Sequence, residues 1–505
     1  MVSGARGARR LVVTRRCQAA RVPLVPSSVD FRRCRLLGLI GSTVLAAGGK
    51  TAGALPVGDA LSPSAAGAAL GLVGVYFGVV LLIAAWVLMG REIRGPEPPT
   101  PRSLLLVLAL WAAPLVLAPP LFSRDVYSYL AQGAMVDAHI DVYAYGPARL
   151  GGPLVSEVAP IWRHTGAPYG PVFLGLAEVT ADLTRAQVPA GVMGMRFVAL
   201  LGVALMAAAL PRLARHCGTD PAAALWLGAL NPLVLLHLVA GAHNDAVMLG
   251  LLGVGLVAAS GRWFILGAVL VTLAALVKAP AALGLLAVVA LRVRGRTERR
   301  RVLRAALTTA AAALATTVAA TAVAGTGYGW IGALKTPVSP QNWALTSVLG
   351  RVTGDLLHHA GSDLARFAAP AWHGIGMVAT LIALLVIWLR RPRPAPVYAV
   401  GLSLAAIAVL GPAIRPWYVL WGLFLIAAAA PSSSVRRRVA ALSGVLALAA
   451  LPSGGPIDTQ QLALAVSGGA LAVVVLWQVH QAGRRHQSTG QPTGLPGRRE
   501  PEPSV

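Results

Sequence analysis

Long apolar segments alternate with short polar ones along most of the chain, from about residue 36 to residue 480. A helix needs about 20 apolar residues to cross a bilayer, and fewer when it is tilted or broken. The alternating pattern typical of barrel strands is absent. The pattern therefore predicts an all-α polytopic membrane protein with about fourteen transmembrane helices. Their apolar cores are Leu36–Ala47, Ala68–Met89, Leu104–Ala118, Phe197–Leu210, Ala222–Val239, Val247–Ala259, Phe264–Val277, Ala281–Leu291, Val302–Ala324, Gly374–Leu389, Val397–Leu410, Trp417–Ala430, Val439–Leu451 and Leu462–Trp477.

Charge gives these helices an orientation. The net charge is +25, which could suggest a nucleic-acid partner, but the basic residues gather in short connections and tails. If the N-terminus is inside, all the basic clusters fall on the cytoplasmic side, as the positive-inside rule requires, and no nucleic acid is expected. This orientation needs Tyr169–Thr184 to form an interfacial or re-entrant helix rather than a crossing. The clusters are Arg91–Arg102, Arg212–Arg215, Arg292–Arg304, Arg390–Arg393, Arg436–Arg438 and Arg484–Arg485.

The pattern divides the chain into three parts. Residues 1–35 form a basic cytoplasmic tail, residues 36–480 the transmembrane domain, and residues 481–505 a disordered cytoplasmic tail. Two long outer loops, 121–196 and 325–371, interrupt the transmembrane domain. Cys17, Cys34 and Cys217 are scattered and fit no metal or redox spacing. We expect a multi-pass protein of the plasma membrane with both termini inside.

The longest polar interruption, Leu121–Pro171, is the first candidate for an active site. It is rich in aromatic residues, which argues against disorder, and long ordered loops are usually functional. Asp125 follows an apolar run directly and could remove a proton from an attacking hydroxyl. It could instead cap a helix or pair with Arg124. The loop also supplies Arg124, Tyr127, Tyr129 and Tyr169 as candidate substrate-binding residues.

Further polar residues fall at span ends on the same predicted outer face. Cations there oppose the usual charge bias and suit a lipid-linked phosphate, although each could simply extend to the interface. The aromatic residues could stack on a sugar ring or belong to the interfacial belt. Two potential metal ligands two residues apart make an incomplete site, so no metal is expected. The candidates are His243, Asn244, Asp245, Lys278, Gln341, Asn342, Trp343, Arg415 and Trp417.

Several of these segments together resemble one family. SRDVYSYLAQG, YGP, HNDA, VKAPA, PQNW and GPAIRPWYVLW occur in this order across roughly residues 36–480. The set resembles the actinobacterial polyprenol-phosphomannose-dependent α-(1→6)-mannosyltransferases (MptB-like), which have the GT-C fold. The resemblance implies a catalytic aspartate in the first outer loop, which matches Asp125, and interfacial helices in that loop.

The resemblance also implies a reaction. Mannose would move with inversion from polyprenyl-phosphate-mannose to a lipid-anchored, growing α-(1→6)-mannan, the core of lipomannan and lipoarabinomannan. Arg415 and Lys278 would meet the charge of the leaving phosphate. No nucleotide-binding motif is present, and no cofactor is expected. The alternative is a transporter or flippase for a polyprenyl-linked sugar, which would be expected to contain paired inverted repeats.

Overall fold

A computed structural model describes residues 28–57, 63–293, 298–333, 342–390 and 395–489. Within these ranges the chain is helical and contains no strand. The α-helices are α1 Ser28–Ala52, α2 Ala65–Glu92, α3 Pro101–Val116, α4 Asp125–Asp137, α5 Pro153–Glu157, α6 Pro160–Arg163, α7 Pro171–Thr184, α8 Val188–His216, α9 Pro221–Gly228, α10 Asp245–Ser260, α11 Phe264–Ala275, α12 Gly284–Val293, α13 Arg299–Ala324, α14 Trp330–Ala333, α15 Leu345–His359, α16 Ala368–Leu389, α17 Pro396–Leu410, α18 Val419–Ala429, α19 Ser433–Leu446 and α20 Thr459–Thr489. Short 3-10 turns cover Pro147–Arg149, Ala279–Leu283, Asp363–Phe367 and Pro416–Tyr418, and a π-helical turn covers Val234–Ala240.

Several of these helices are long and apolar enough to cross a membrane. Among the described residues they are Ala65–Glu92, Val188–His216, Arg299–Ala324, Asp363–Leu389 and Thr459–Ala482. Val234–Ala240 and Asp245–Ser260 add a sixth span if the two segments, which meet at 108°, count as one broken span. Others, such as α3, α11 and α17, are apolar but shorter. The chain is therefore an all-helical membrane protein, whereas the count of fourteen spans stays a prediction.

One predicted span is divided in the structure. Ala222–Val239 was expected to be a single helix, but α9 ends at Gly228 and a π-helical turn follows Asn231-Pro232. Pro232 has no N–H to donate, so the helix cannot continue regularly through it. The Asn231 side chain fills the gap by accepting from the Leu233 N–H at 2.9 Å and donating to the Leu227 carbonyl at 3.1 Å. This interruption changes the direction of the backbone shortly before His243.

Small residues allow the helices around this break to approach closely. A Cβ on Gly202 of α8 would lie 2.3 Å from the carbonyl carbon of Ala246 in α10. A Cβ on Gly78 of α2 would lie 2.6 Å from the Gly41 carbonyl oxygen in α1. Close backbone approach of this kind is how helices associate where there is little water to drive packing.

The predicted division into two tails, a membrane domain and two outer loops stays a prediction. α1 begins at Ser28, and α20 continues to Thr489, so the start of the predicted C-terminal tail is helical. Residues 1–27, with Cys17, and residues 490–505 lie outside the described residues. Cys34 and Cys217 are free thiols. The first predicted outer loop contains helices α4 to α7, and the second contains α14 and α15.

Candidate active site

A buried arginine holds three chain segments together at the centre of the molecule. Arg196 in α8 is 1% exposed. Its Nη1 donates to the carbonyls of Val116 at 2.7 Å and Ala118 at 2.6 Å, and its Nη2 donates to the carbonyl of Ala240 at 3.0 Å. These carbonyls lie at the end of α3 and at the end of the π-helical turn. The arginine therefore fixes the segment leading to Asp125 against the segment leading to His243.

The turn after α3 presents Asp125 at the start of α4. Phe122 adopts a positive φ of 65°, which is unusual for a residue with a bulky side chain. The Ser123 hydroxyl accepts from the Asp125 N–H at 3.1 Å. Arg124 occupies the N-cap position, and its side chain does not cap the helix. The interpretation of Asp125 as a helix cap is therefore wrong, and its carboxylate, 19% exposed, is not used in capping.

Arg124 turns away from Asp125. Its Nη2 lies 3.0 Å from Oε2 of Glu157, and its Nη1 donates to the carbonyl of Leu55 at 2.8 Å. Its guanidinium lies 4.9 Å from the ring of Tyr127, whose hydroxyl donates to the Ala54 carbonyl at 2.6 Å. The alternative in which Arg124 neutralises Asp125 is therefore wrong. Both Arg124 and Tyr127 have partners within the protein, and their contact with substrate stays a prediction.

The interruption between the π-helical turn and α10 places His243 beside Asp125. Ala242 has a positive φ of 54°, and the His243 Nδ1 lies 2.7 Å from the His237 carbonyl oxygen. The His243 Nε2 lies 3.7 Å from Oδ2 of Asp125, and its ring stacks on Trp417 with centroids 3.9 Å apart. Asn244 is buried, and neither polar atom of its amide has a partner among the described residues. Unpaired buried polar atoms are costly, so these groups suit a polar ligand.

Lys278 and Asp245 neutralise each other. The Lys278 Nζ lies 2.9 and 3.0 Å from the two carboxylate oxygens of Asp245, which also accepts from the Trp421 indole N–H. Burial acts to lower the pKa of Lys278, but the Asp245 charge outweighs this and raises the pKa above its usual value. The ammonium also lies 4.7 Å from the centroid of the Tyr418 ring. The predicted phosphate-binding lysine is thus an ion-paired residue.

Aromatic side chains form a wall next to this pair. Tyr129, Tyr169 and Phe173 meet edge to face, with ring centroids 5.0 to 5.4 Å apart. Gly170 lets the wall approach the backbone just before Lys278, because a Cβ there would lie 2.1 Å from the Leu276 carbonyl oxygen. Burial raises the pKa of both tyrosines well above its usual value, so their phenols stay protonated and can donate. Of the predicted binding tyrosines, Tyr129 and Tyr169 therefore belong to the site wall.

One of the remaining predicted residues contacts the loop that carries Arg415. Asn342 accepts from the Ile414 N–H at 3.0 Å through its side-chain oxygen, so it holds that loop in place. Arg415 is half-buried and, among the described residues, makes no hydrogen bond or ion pair. Trp343 is 55% exposed. Gln341 lies outside the described residues.

Sequence patterns missed several of the residues that build this site. Arg196 directly precedes the predicted core Phe197–Leu210. A lone arginine at the predicted outer end of a span could have identified it as a functional candidate. Glu157 and Trp421 were missed because their partners, Arg124 and Asp245, are distant in the sequence. His237 lies inside a predicted span, and only the π-helical turn shows that its carbonyl oxygen is bonded by the His243 side chain.

The arrangement defines a class of protein. It is an all-helical membrane protein with a polar centre, where the carboxylate of Asp125, the Asn244 amide, which has no partner among the described residues, and aromatic faces meet at a broken helix. Groups of this kind are suited to binding sugar hydroxyls. Among the described residues, no three His, Cys, Asp or Glu side chains form a possible metal group, and the expected absence of a metal stays a prediction.

Comparison with known proteins gives the family. A family model described as alpha-(1->6)-mannopyranosyltransferase, N-terminal domain, matches residues 35–294, and one described as MptB C-terminal domain matches residues 346–478. The chain is 37% identical over 431 residues to alpha-(1->6)-mannopyranosyltransferase A of Mycobacterium tuberculosis, covering 81% of this chain and 82% of that protein. It is 30% identical over 490 residues to alpha-(1->6)-mannopyranosyltransferase B of Corynebacterium glutamicum, covering 88% and 81%. The chain belongs to the α-(1→6)-mannopyranosyltransferase family of glycosyltransferases.

We expect Arg196→Gln to disorder the site. An amide cannot donate to three carbonyls at once, and a hydrogen bond from a charged donor contributes roughly 1.5–3 kcal/mol. The variant should unfold at lower temperature in detergent and lose most transfer activity. Arg212→Gln is the matched control, because Arg212 lies on the same helix and bonds only one carbonyl of its own helix. Equal thermal stability of Arg196→Gln and this control would show that the bonds from Arg196 to the three carbonyls do not stabilise the site.

Proposed function

We propose that this protein transfers mannose, with inversion, from polyprenyl-phosphate-mannose to a hydroxyl of a growing α-(1→6)-mannan. The acceptor would be the lipid-anchored core of lipomannan or lipoarabinomannan. The observation that carries the proposal is the carboxylate of Asp125, which is partly exposed, lies beside His243 and forms no ion pair with a lysine or arginine of the described residues. Inversion in one step needs one base, which removes the proton from the attacking hydroxyl.

A cation near the site would favour departure of the phosphate. Phosphate leaves more readily when a positive charge meets the charge that develops on it. Lys278 is committed to Asp245, whereas the Arg415 guanidinium is free of hydrogen bonds and ion pairs among the described residues. Arg415 lies two residues before Trp417, which stacks on His243. We therefore assign contact with the donor phosphate to Arg415 and a supporting role to Lys278.

An apolar groove next to the site supports a lipid-linked donor. The groove has a volume of about 730 Å³ and lies between α7, α8, α10, α11 and α13. Its lining begins at Pro171, just after Tyr169-Gly170, and includes Val247, two residues after Asp245. A chain entering this groove would therefore start beside the aromatic wall and the Lys278–Asp245 pair. We propose that it holds the isoprenoid chain of the donor.

The side of the membrane follows from charge. We propose a GT-C-type architecture in which the basic connections are cytoplasmic and the site opens to the outer face of the plasma membrane. The transporter alternative is not favoured, because the matched relatives named above are called transferases.

We expect Asp125→Asn to insert and fold normally, to bind donor, and to lose nearly all transfer. An amide has almost the shape of a carboxylate but cannot take a proton, and general-base help is worth about 10²–10⁴ in rate. Transfer from radiolabelled polyprenyl-phosphate-mannose to a short α-mannoside measures this in purified membranes. Asp137→Asn is the control, because Asp137 is exposed at the other end of α4. Near-normal transfer by Asp125→Asn would show that Asp125 is not the general base.

Arg415→Ala and Lys278→Ala should fail in different ways. Loss of a charge-assisted contact costs roughly 1.5–3 kcal/mol, so Arg415→Ala should fall about 10- to 100-fold in donor kcat/KM while its thermal stability is unchanged. Lys278→Ala leaves a fully buried Asp245 unpaired, which costs roughly 3–5 kcal/mol of folding stability. Arg366→Ala, at an exposed arginine, is the control. Unchanged donor kinetics in Arg415→Ala would show that this arginine does not contact the phosphate.

A bulky residue in the groove should discriminate between donors by chain length. Ala320→Trp places an indole among the lining residues of α13. Each buried methylene contributes about 0.8 kcal/mol, so a long polyprenyl chain loses more than a short farnesyl chain when the groove is filled. We expect KM to rise at least several-fold for the long donor and little for the short one. Ala315→Trp, on the same helix but outside the groove, is the matched control, and equal effects on both donors would contradict the assignment.

A further inference from the structure

A buried histidine lies directly behind the carboxylate proposed as the base. The His243 Nε2 is 3.7 Å from Oδ2 of Asp125 and has no hydrogen-bond partner among the described residues. The His243 side chain is fully buried, whereas that of Asp125 is 19% exposed. A substrate hydroxyl therefore reaches Asp125 first, and His243 can act only through it.

The backbone decides which nitrogen of His243 carries its proton. The His243 Nδ1 lies 2.7 Å from the His237 carbonyl oxygen. A carbonyl oxygen can only accept, so Nδ1 donates, and in the neutral ring Nε2 is an unprotonated acceptor. A carboxylate is also only an acceptor. Asp125 and His243 therefore face each other with no proton between them until the reaction supplies one.

We propose that His243 receives the proton that Asp125 removes from the acceptor hydroxyl. This proposal rests on Asp125 being the base. The hydroxyl O–H bond breaks as its oxygen bonds to the sugar carbon, and the electron pair of the carbon–oxygen bond leaves with the phosphate. The proton passes from Asp125 to Nε2, which restores the carboxylate and forms an imidazolium. After product departure the proton returns to water through Asp125, the exposed member of the pair.

Burial disfavours a charge on His243, and two of its contacts would offset this for a transient cation. Its ring stacks on Trp417 with centroids 3.9 Å apart and planes inclined by 30°, and an indole face attracts a cation. The His237 carbonyl then accepts a charge-assisted hydrogen bond, which is stronger than a neutral one. The charged and titratable groups around the ring are Asp125, Asp245, Lys278 and His237. Because Lys278 neutralises Asp245, Asp125 is the carboxylate left to pair with the imidazolium.

The test compares His243→Gln with the wild-type protein in the full-length chain in membranes. Glutamine has no basic nitrogen, so kcat should fall about 10²-fold, within the range that proton-transfer help supplies, while KM for donor and acceptor stays unchanged. His243 must be neutral to accept, so the wild-type rate should fall as the pH is lowered through the imidazole titration. That dependence should be absent in His243→Gln. His358→Gln, at an exposed histidine, is the control and should match the wild type.

Two further variants keep the proposal testable if His243→Gln inserts poorly. Trp417→Leu removes the aromatic face and should lower kcat and move the acid limb of the pH profile, whereas Trp417→Phe should retain most activity. In an Asp125→Asn background, His243→Gln should cause no further loss, because the histidine acts through Asp125. Additive losses, an unchanged pH profile or an effect on KM alone would overturn the relay. Normal transfer by Asp125→Asn alone would instead overturn the proposed base.

Discussion

The site depends on one buried guanidinium. A charge in an apolar interior is costly unless it is hydrogen-bonded. The two terminal nitrogens of Arg196 donate to carbonyls at the ends of two interrupted segments, whereas its Nε has no partner among the described residues. These carbonyls have no helical partner, because α3 ends at Val116 and the π-helical turn ends at Ala240. The terminal nitrogens of the arginine therefore satisfy carbonyls that the broken backbone leaves open. The Leu121 N–H adds a direct bond of 3.3 Å to the Ala240 carbonyl, which joins the two segments without the arginine. Breaks of this kind would be expensive in lipid, and here they are stabilised where they bring polar side chains inward.

The two carboxylates at the centre have been given opposite environments. Asp245 is fully buried, bonded to Lys278 and to the Trp421 indole, and so its charge is balanced within the protein. Asp125 is partly exposed, and the neighbouring cation, Arg124, is drawn away by Glu157. Asp245 therefore holds Lys278 beside the aromatic wall, whereas the carboxylate of Asp125 stays open to a ligand, and the proposed role as base falls to Asp125.

Composition and periodicity could predict the class of fold because lipid imposes a simple rule: a segment must be apolar and helical to cross. The polar residues at span ends could likewise be found, since each is conspicuous in an apolar sequence, and Asp125, His243, Asp245, Lys278 and Trp417 do converge. The partners could not be predicted, because they follow from tertiary packing. Nothing local shows that Arg124 pairs with Glu157, that Lys278 is neutralised, or that Asn342 holds the loop at Ile414. The broken span was missed because hydropathy does not register the π-helical turn after Asn231-Pro232.

Two of the five described non-glycine residues with positive φ lie at the approaches to the site. Phe122 and Ala242 both have positive φ values, 65° and 54°, and each lies within three residues of a proposed functional side chain. Conformations of this kind cost roughly 1–3 kcal/mol and persist only where the surroundings enforce them. Here the enforcing contacts are the Phe122 N–H bond to the Pro452 carbonyl at 2.8 Å and the Arg196 bond to the Ala240 carbonyl. The same contacts that hold the strain also position the backbone at Asp125 and His243, so the proposed proton transfer would depend on this backbone geometry.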